Sequence, residues 1–212
     1  MDSDFKNSEG KIIVDKLIKV IHENRVYLGE LDAAIGDGDH GINMDKGFSL
    51  VEKEIENKDL NMSESLRILG NTLLQKIGGS MGPLYGTMFK SMARTSKNCE
   101  IINIEVFMKM IINTKDAVSS IGEAKVGDKT MIDTLAPAAE ALVFSADSNF
   151  ESAIDSMLAA AEAGWESTRN IVAKKGRAAR LGERSRGHLD AGATSCFLIL
   201  ESMGETIKSK LL

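Results

Sequence analysis

The chain has 212 residues, a formal charge of −5, 43% hydrophobic residues and a mean hydropathy of −0.10, enough for one domain with its own core. The acidic balance excludes a general nucleic-acid binder. No apolar run approaches the roughly 18 residues of a membrane span, and the polar, acidic start MDSDFKNSEG is no signal peptide.

Two prolines, 5% aromatic residues and abundant alanine, leucine and methionine favour helices over sheets. Cys99 and Cys196 lack metal-ligand spacing and read as free thiols of a reducing cytoplasm. In chain order, Ile13, Leu17, Val20 and Ile21 form the stripe of a first helix over 8–27. A second follows Asn43 and runs to 57. Asn61 and Glu64 have the spacing of a capping box and open a third over 62–77. Pro83 suits the first turn of a fourth over 83–97. The run 100–104 is too short to separate strand from helix by pattern. A fifth helix covers 104–121. Thr130 with Asp133 and Ser148 with Glu151 read as capping pairs for a sixth over 131–146 and a seventh over 149–174. The eighth, over 193–211, carries Phe197, Leu200, Ile207 and Leu211 on one side, with Thr194 and Ser195 as its caps. Eight amphipathic helices with short connectors predict an all-α fold, a bundle or barrel, as a single domain over 1–212.

Glycines cluster at 36–41, 78–86, 122–127 and 176–192, each between predicted helices. Glycine allows close backbone approach to a ligand, so the four loops are expected to share a site at one end. The first contains Asp32, Asp37 and Asp39 within eight residues. Carboxylates that close repel one another, and a hard cation such as Mg2+ or Ca2+ would hold them. Gly36, Gly38 and Gly41 satisfy G-x-G-x-x-G, but a helix precedes them and two aspartates sit inside the turn, so the dinucleotide fingerprint is a decoy. An EF-hand fails as well, since its later ligand positions fall on Gly41 and Phe48. Three aspartates suit two Mg2+ ions that bridge to phosphoryl groups.

For His40 three roles stay open: phosphate contact, acid/base group, or packing in the turn. Gly41, Ile42 and Asn43 then open a helix whose free N–H groups favour an anion. The loop GGSMGPLYG at 78–86 offers backbone donors around Ser80, although no Walker A motif occurs anywhere. In VGDKTMIDTLAPA, Asp128, Lys129 and Thr130 stand at a helix start, and Met131 lies either against a base or in the core. In KKGRAARLGERSRGHLDAGATS, Arg177 is a candidate phosphate partner in what is otherwise a basic, solvated loop. Leu84 and Leu181 are candidates for a docking face.

GDGDHGINM at 36–44, GGSMGPLYG at 78–86, GDKTMIDTL at 127–135 and GRAARLGERSRGHLDAGATS at 176–195 together resemble the DhaL family, the nucleotide-binding L subunits of bacterial dihydroxyacetone kinase. The motifs span most of the chain in the expected order. The resemblance implies an eight-helix antiparallel barrel with ADP or ATP capping one end on two Mg2+ ions. Carried over by position, it implies Asp32, Asp37 and Asp39 as metal ligands. It puts His40, Gly41, Ile42, Asn43, Ser80 and Met81 at the phosphates, Gly122, Met131 and Arg177 at the adenosine side, and Asp190, Ala191 and Gly192 closing the site. Ser80–Met81 departs from the Ala–Ser of some relatives, which shifts or removes a hydroxyl contact. The related domain of fatty-acid kinases usually has threonine at the place of His40, so His40 favours the dihydroxyacetone branch.

The resemblance also implies partners. A K subunit holds dihydroxyacetone covalently, and in the phosphotransferase-linked branch a phosphohistidine on an M subunit recharges the bound ADP. Such a chain is a cytoplasmic kinase subunit, inactive alone. The alternatives are an ATP-dependent subunit serving another small ketose, and a regulatory nucleotide-sensing module that acts through a protein partner.

Overall fold

A computed structural model describes residues 4–212. Eight long helices follow one another: α1 (Lys11–Ile35), α2 (His40–Ile55), α3 (Met62–Lys76), α4 (Met81–Ser96), α5 (Ile104–Gly122), α6 (Ile132–Phe144), α7 (Phe150–Ser167) and α8 (Ala191–Thr206). Each packs against its neighbours in sequence and α8 returns to α1, so the helices close into an antiparallel ring. The shared interior is filled by aliphatic and phenylalanine side chains, among them Leu17, Phe48, Leu69, Phe89, Leu135 and Ile199, all inaccessible to solvent. Phe48 meets Phe89 edge-on at 6.0 Å, and Trp165 stacks on Phe197 at 4.7 Å. Burying each such side chain contributes about 1.5–3 kcal/mol. No helix among the described residues is long and apolar enough to cross a membrane.

The ring has two unlike ends. At one, α3, α5 and α7 begin, each capped by an asparagine. Asn61 accepts from the Glu64 amide at 2.9 Å while the Glu64 carboxylate accepts from the Asn61 amide, the expected capping box. Asn103 and Asn149 accept from the amides of Val106 and Ser152 at 3.0 and 2.8 Å. The cap of α7 is thus Asn149 and not Ser148, because asparagine reaches the third amide of the helix from the residue just before it. The same end holds a two-residue antiparallel ladder, β1 (Phe5–Lys6) with β2 (Ile101–Ile102). Beneath it Asn7 is buried; its amide nitrogen donates to Ser63 Oγ and to the carbonyls of Ser96 and Cys99, and its oxygen accepts from the Ser63 amide.

Several boundaries differ from the sequence reading. α1 continues eight residues past 27, through Gly29, because nothing stops it before Gly36. α2 starts at His40, placing Gly41, Ile42 and Asn43 in its first turn. α4 starts at Met81, two residues before Pro83. α7 stops at Ser167, where the chain tightens into a 3-10 turn and Thr168 Oγ1 donates to the Trp165 carbonyl. α8 starts at Ala191 and is capped by Asp190, which accepts from the Ala193 amide at 2.7 Å. Thr194 and Ser195 lie inside that helix and donate back to the carbonyls of Asp190 and Ala191.

Two glycines set how closely the helices approach. A Cβ on Gly41 would strike the Arg25 carbonyl, so only glycine lets the start of α2 press on α1. A Cβ on Gly164 would strike the Asp133 carbonyl, which Pro137 leaves without its helical partner.

Candidate functional site

The second end of the ring gathers all four glycine-bearing connections, because each joins an odd-numbered helix to the next even one. The last turn of α1 carries Asp32, and the four-residue link from Gly36 to Asp39 brings Asp37 and Asp39 to it. One carboxylate oxygen from each of Asp32, Asp37 and Asp39 lies within 4.8 Å of the other two. Like charges at that separation repel by a few kcal/mol per pair at an effective dielectric near 20. The Asp32 carboxylate accepts from the His40 amide at 3.3 Å, and Arg177 pairs with Asp37 and, at 3.6 Å, with Asp39. One guanidinium, 57% exposed, offsets only part of three negative charges. An all-oxygen, triply charged donor set is suited to a hard divalent cation, so these residues fit Mg2+.

The helix starts around this trio are open. The residues before α2, α4 and α6 are Asp39, Ser80 and Met131, and none gives its helix a side-chain cap. At α2 and α4 the amides of Gly41, Ile42, Met81 and Gly82, with the positive ends of the helix dipoles, are therefore open to an anion at the end where the acidic trio stands, whereas at α6 the first amide, of Ile132, donates to Thr130 Oγ1. α8 is the exception at this end, with Asp190 as its cap.

Behind the trio lies a buried polar chain. His40 Nε2 and Ser195 Oγ are 2.8 Å apart, and Ser195 Oγ is 2.5 Å from the Tyr85 hydroxyl, which also donates to the Gly192 carbonyl at 3.1 Å. Burial pulls the His40 pKa down to about 4 against the opposing pull of Asp39, so the imidazole is neutral at physiological pH. Burial pushes Asp190 up to about 6, against the Ala193 amide and Lys129. Of the three roles open to His40, the neutral ring suits a hydrogen-bonding contact.

The third and fourth connections interlock. The Asp133 carboxylate accepts from the amides of Gly127 and Thr130, at 2.6 and 2.8 Å, and Thr130 Oγ1 accepts from Ile132. The Lys174 amide donates to the Asp128 carbonyl at 3.0 Å. Left-handed backbone occurs at Glu123 and Lys129 as well as at glycines.

The structure thus brings together, at one end, the candidate metal ligands, His40, Ser80, Arg177, Asp190 and Gly192. Ile42 and Ser80 are exposed and Asn43 is half-buried. Met81, Met131 and Ala191 are buried and take part in the core or its rim, so Met131 offers a base only its edge or backbone. Gly122 sits behind Leu84, 3.2 Å from where its Cβ would be. Leu84 and Leu181 are half-buried. Sequence reasoning missed Tyr85. Its i, i+3, i+4 relation to Met88 and Phe89 signals an inward face, but its partner Ser195 is 110 residues away.

Comparison with known proteins agrees with this geometry. The DAK2 domain family model matches residues 34–205. The chain is 39% identical to the ADP-binding subunit DhaL of PEP-dependent dihydroxyacetone kinase 2 of Listeria innocua, over 98% of this chain and 96% of that one. It is 40% identical to the ADP-binding subunit DhaL of the Escherichia coli PEP-dependent enzyme, over 86% and 88%. An L-erythrulose 1-kinase of Mycolicibacterium smegmatis is 31% identical, the match covering 91% of this chain and 34% of that longer protein. The crystal structure of the dihydroxyacetone kinase of C. freundii superposes with a TM-score of 0.71 at 23% identity, over 95% of this chain and 35% of that one. The same kinase in complex with AMP-PNP and Mg2+ gives 0.69. With its ring of eight helices, its acidic trio and these relatives, the chain belongs to the DAK2 domain family, among the DhaL subunits.

Proposed function

We propose that this chain is the nucleotide-carrying subunit of a dihydroxyacetone kinase driven by the phosphotransferase system, working in the cytoplasm with a dihydroxyacetone-binding K subunit and a phosphohistidine-carrying M subunit. When bound, ADP or ATP with two Mg2+ ions supplies the phosphoryl relay from the M subunit to the ketone on the K subunit, giving dihydroxyacetone phosphate. The observation that carries this reading is the acidic trio beside the open helix starts of α2 and α4. The names of the DhaL relatives support it.

In this reading Asp32, Asp37 and Asp39 hold the cations. The open amides of α2, at Gly41 and Ile42, and of α4, at Met81, receive phosphate oxygens, with the side chains of His40, Asn43 and Ser80 beside them. The neutral His40, braced by Ser195, adds a side-chain contact without bringing a charge of its own. Gly122, Met131 and Arg177 border the adenosine side, and Asp190, Ala191 and Gly192 close the start of α8. The chain itself contributes positioning and charge stabilisation and no acid/base group.

The test is to desalt the purified protein extensively, denature it and assay released nucleotide. Stoichiometric ADP is the expected result. An empty protein that binds Mg–ATP reversibly would replace the phosphotransferase link with free ATP as donor. Failure to bind either nucleotide would overturn the nucleotide reading.

A further inference from the structure

Among the described residues, Lys129 is the only lysine or arginine that is fully buried, at 1% exposure. Its backbone is left-handed, φ 63°, a conformation that lysine adopts only where its surroundings enforce it. The side chain makes no ion pair among the described residues. Its Nζ instead donates to four main-chain carbonyls, of Thr168 at 2.6 Å, Ile171 at 3.3 Å, Ser185 at 2.8 Å and His188 at 2.5 Å.

All four carbonyls belong to the 168–190 connection, the longest in the molecule, whose only regular structure is two 3-10 pieces. Its flanks are pulled together around this one nitrogen. A few further bonds complete it: Gly187 N to Arg169 O at 2.7 Å, Ala173 N to Ser185 Oγ at 2.9 Å, and Asp190 N to Thr168 Oγ1 at 3.1 Å. Arg177 rides in the middle of the segment and Asp190 stands at its exit.

Carbonyl oxygens converging on one point are the coordination shell of a monovalent cation. An ammonium has three hydrogens to share among them, whereas a neutral amine has two. Desolvation lowers the Lys129 pKa and nearby Asp190 opposes that, yet four acceptors and no donor facing the nitrogen select the charged form. An apolar side chain of equal length would leave the carbonyls unpaired in a buried place.

We propose that Lys129 is a positioning residue, a tethered cation around which the 168–190 segment folds, and that it thereby sets where Arg177 and Asp190 stand at the acidic trio. Only its consequence for ligand retention rests on the nucleotide reading above.

The segment carries its own reporter, trypsin sites at Lys174, Lys175, Arg177, Arg180, Arg184 and Arg186. In nucleotide-free protein, Lys129→Met should be cut within 174–186 at least about tenfold faster than wild type, since cleavage follows the open population, with helical content unchanged. Lys129→Ala should behave likewise and be protected again by ammonium, methylammonium or potassium chloride, but not by choline chloride at equal ionic strength. Wild-type cleavage rates in Lys129→Met, or an opening of Lys129→Ala that no small cation reverses, would overturn the proposal, because simple packing predicts both. Should Lys129→Met lose helical content, Lys129→Gln takes its place, keeping N–H donors but no charge; wild-type resistance in it would overturn the need for a cation. Release of Mg–ADP, measured separately, should be faster from the variants. A wild type that never binds Mg–ADP would sink the nucleotide reading while leaving the tryptic result to decide Lys129.

Discussion

The two ends of the helical ring are built on opposite principles. Where α3, α5 and α7 begin, asparagines satisfy the leading amides, and Asn7 ties the N-terminal strand to α3 and to the link before α5 with every polar atom matched. Where α2 and α4 begin, the residue before the helix gives no side-chain cap, three carboxylates crowd together, Asp190 is half-buried and Lys129 is buried. A sequence free to optimise stability would cap both ends. The difference marks one end as scaffold and the other as a place kept unsatisfied for a ligand.

The sharpest way to break this contrast is Asp37→Ala. It should weaken Mg–nucleotide binding roughly 10³-fold, about 4 kcal/mol, and abolish kinase activity with the K subunit added. Stability in denaturant should move by no more than about 0.5 kcal/mol. Near-normal binding by calorimetry would remove the trio from the site. Asn7→Ala should show the reverse, a loss of about 3 kcal/mol in urea unfolding from several orphaned buried groups, with nucleotide affinity unchanged. A shift in affinity would mean that the ends are coupled.

Asp190→Asn tests the half-buried carboxyl at the acidic end. The folded pKa of about 6 lies above the ordinary 3.8, so the folded state favours the protonated acid. The stabilisation from that proton is complete below pH 3.8 and is lost as pH rises through about 6. Metal-free Asp190→Asn should therefore match wild type near pH 4 and exceed it by about 2 kcal/mol at pH 7.5. About 3 kcal/mol comes from the two-unit shift, less the dipole interaction that the neutral cap gives up. A difference that stays flat with pH would refute the perturbed carboxyl. The smallest effect is the most direct comparison of caps: Asn149→Ala should cost about 1 kcal/mol, and Ser80→Ala no more than about 0.5 kcal/mol. Equal losses in thermal unfolding would erase the distinction between the ends.

What could be read from the sequence was what is local. Eight helices emerge from periodicity, and Asn61 with Glu64 announces its capping box because both partners lie within one turn. The clustering of Asp37 with Asp39 is legible because one residue separates them, and the structure brings Asp32 to them. The overrun of α1 to Ile35 was hidden by Gly29, which reads as a break but sits within the helix. The early stop of α7 was hidden because its apolar spacing persists to Trp165, just before Thr168 turns the chain. The Arg177 pairing with Asp37 spans 140 residues, and the acceptors of Lys129 are main-chain carbonyls that any residue type would supply. Neither leaves a trace in the pattern of side chains.

The ring also fixes where the chain enters and leaves. α1 begins and α8 ends at the end away from the acidic trio, as the approach of Gly204 to Ile154 and the Lys208–Asp155 ion pair at the start of α7 show. Covalent attachments at either terminus therefore point away from the site. The same domain can be strung onto another polypeptide with the acidic end still bare, and the chain matches about a third of some longer relatives.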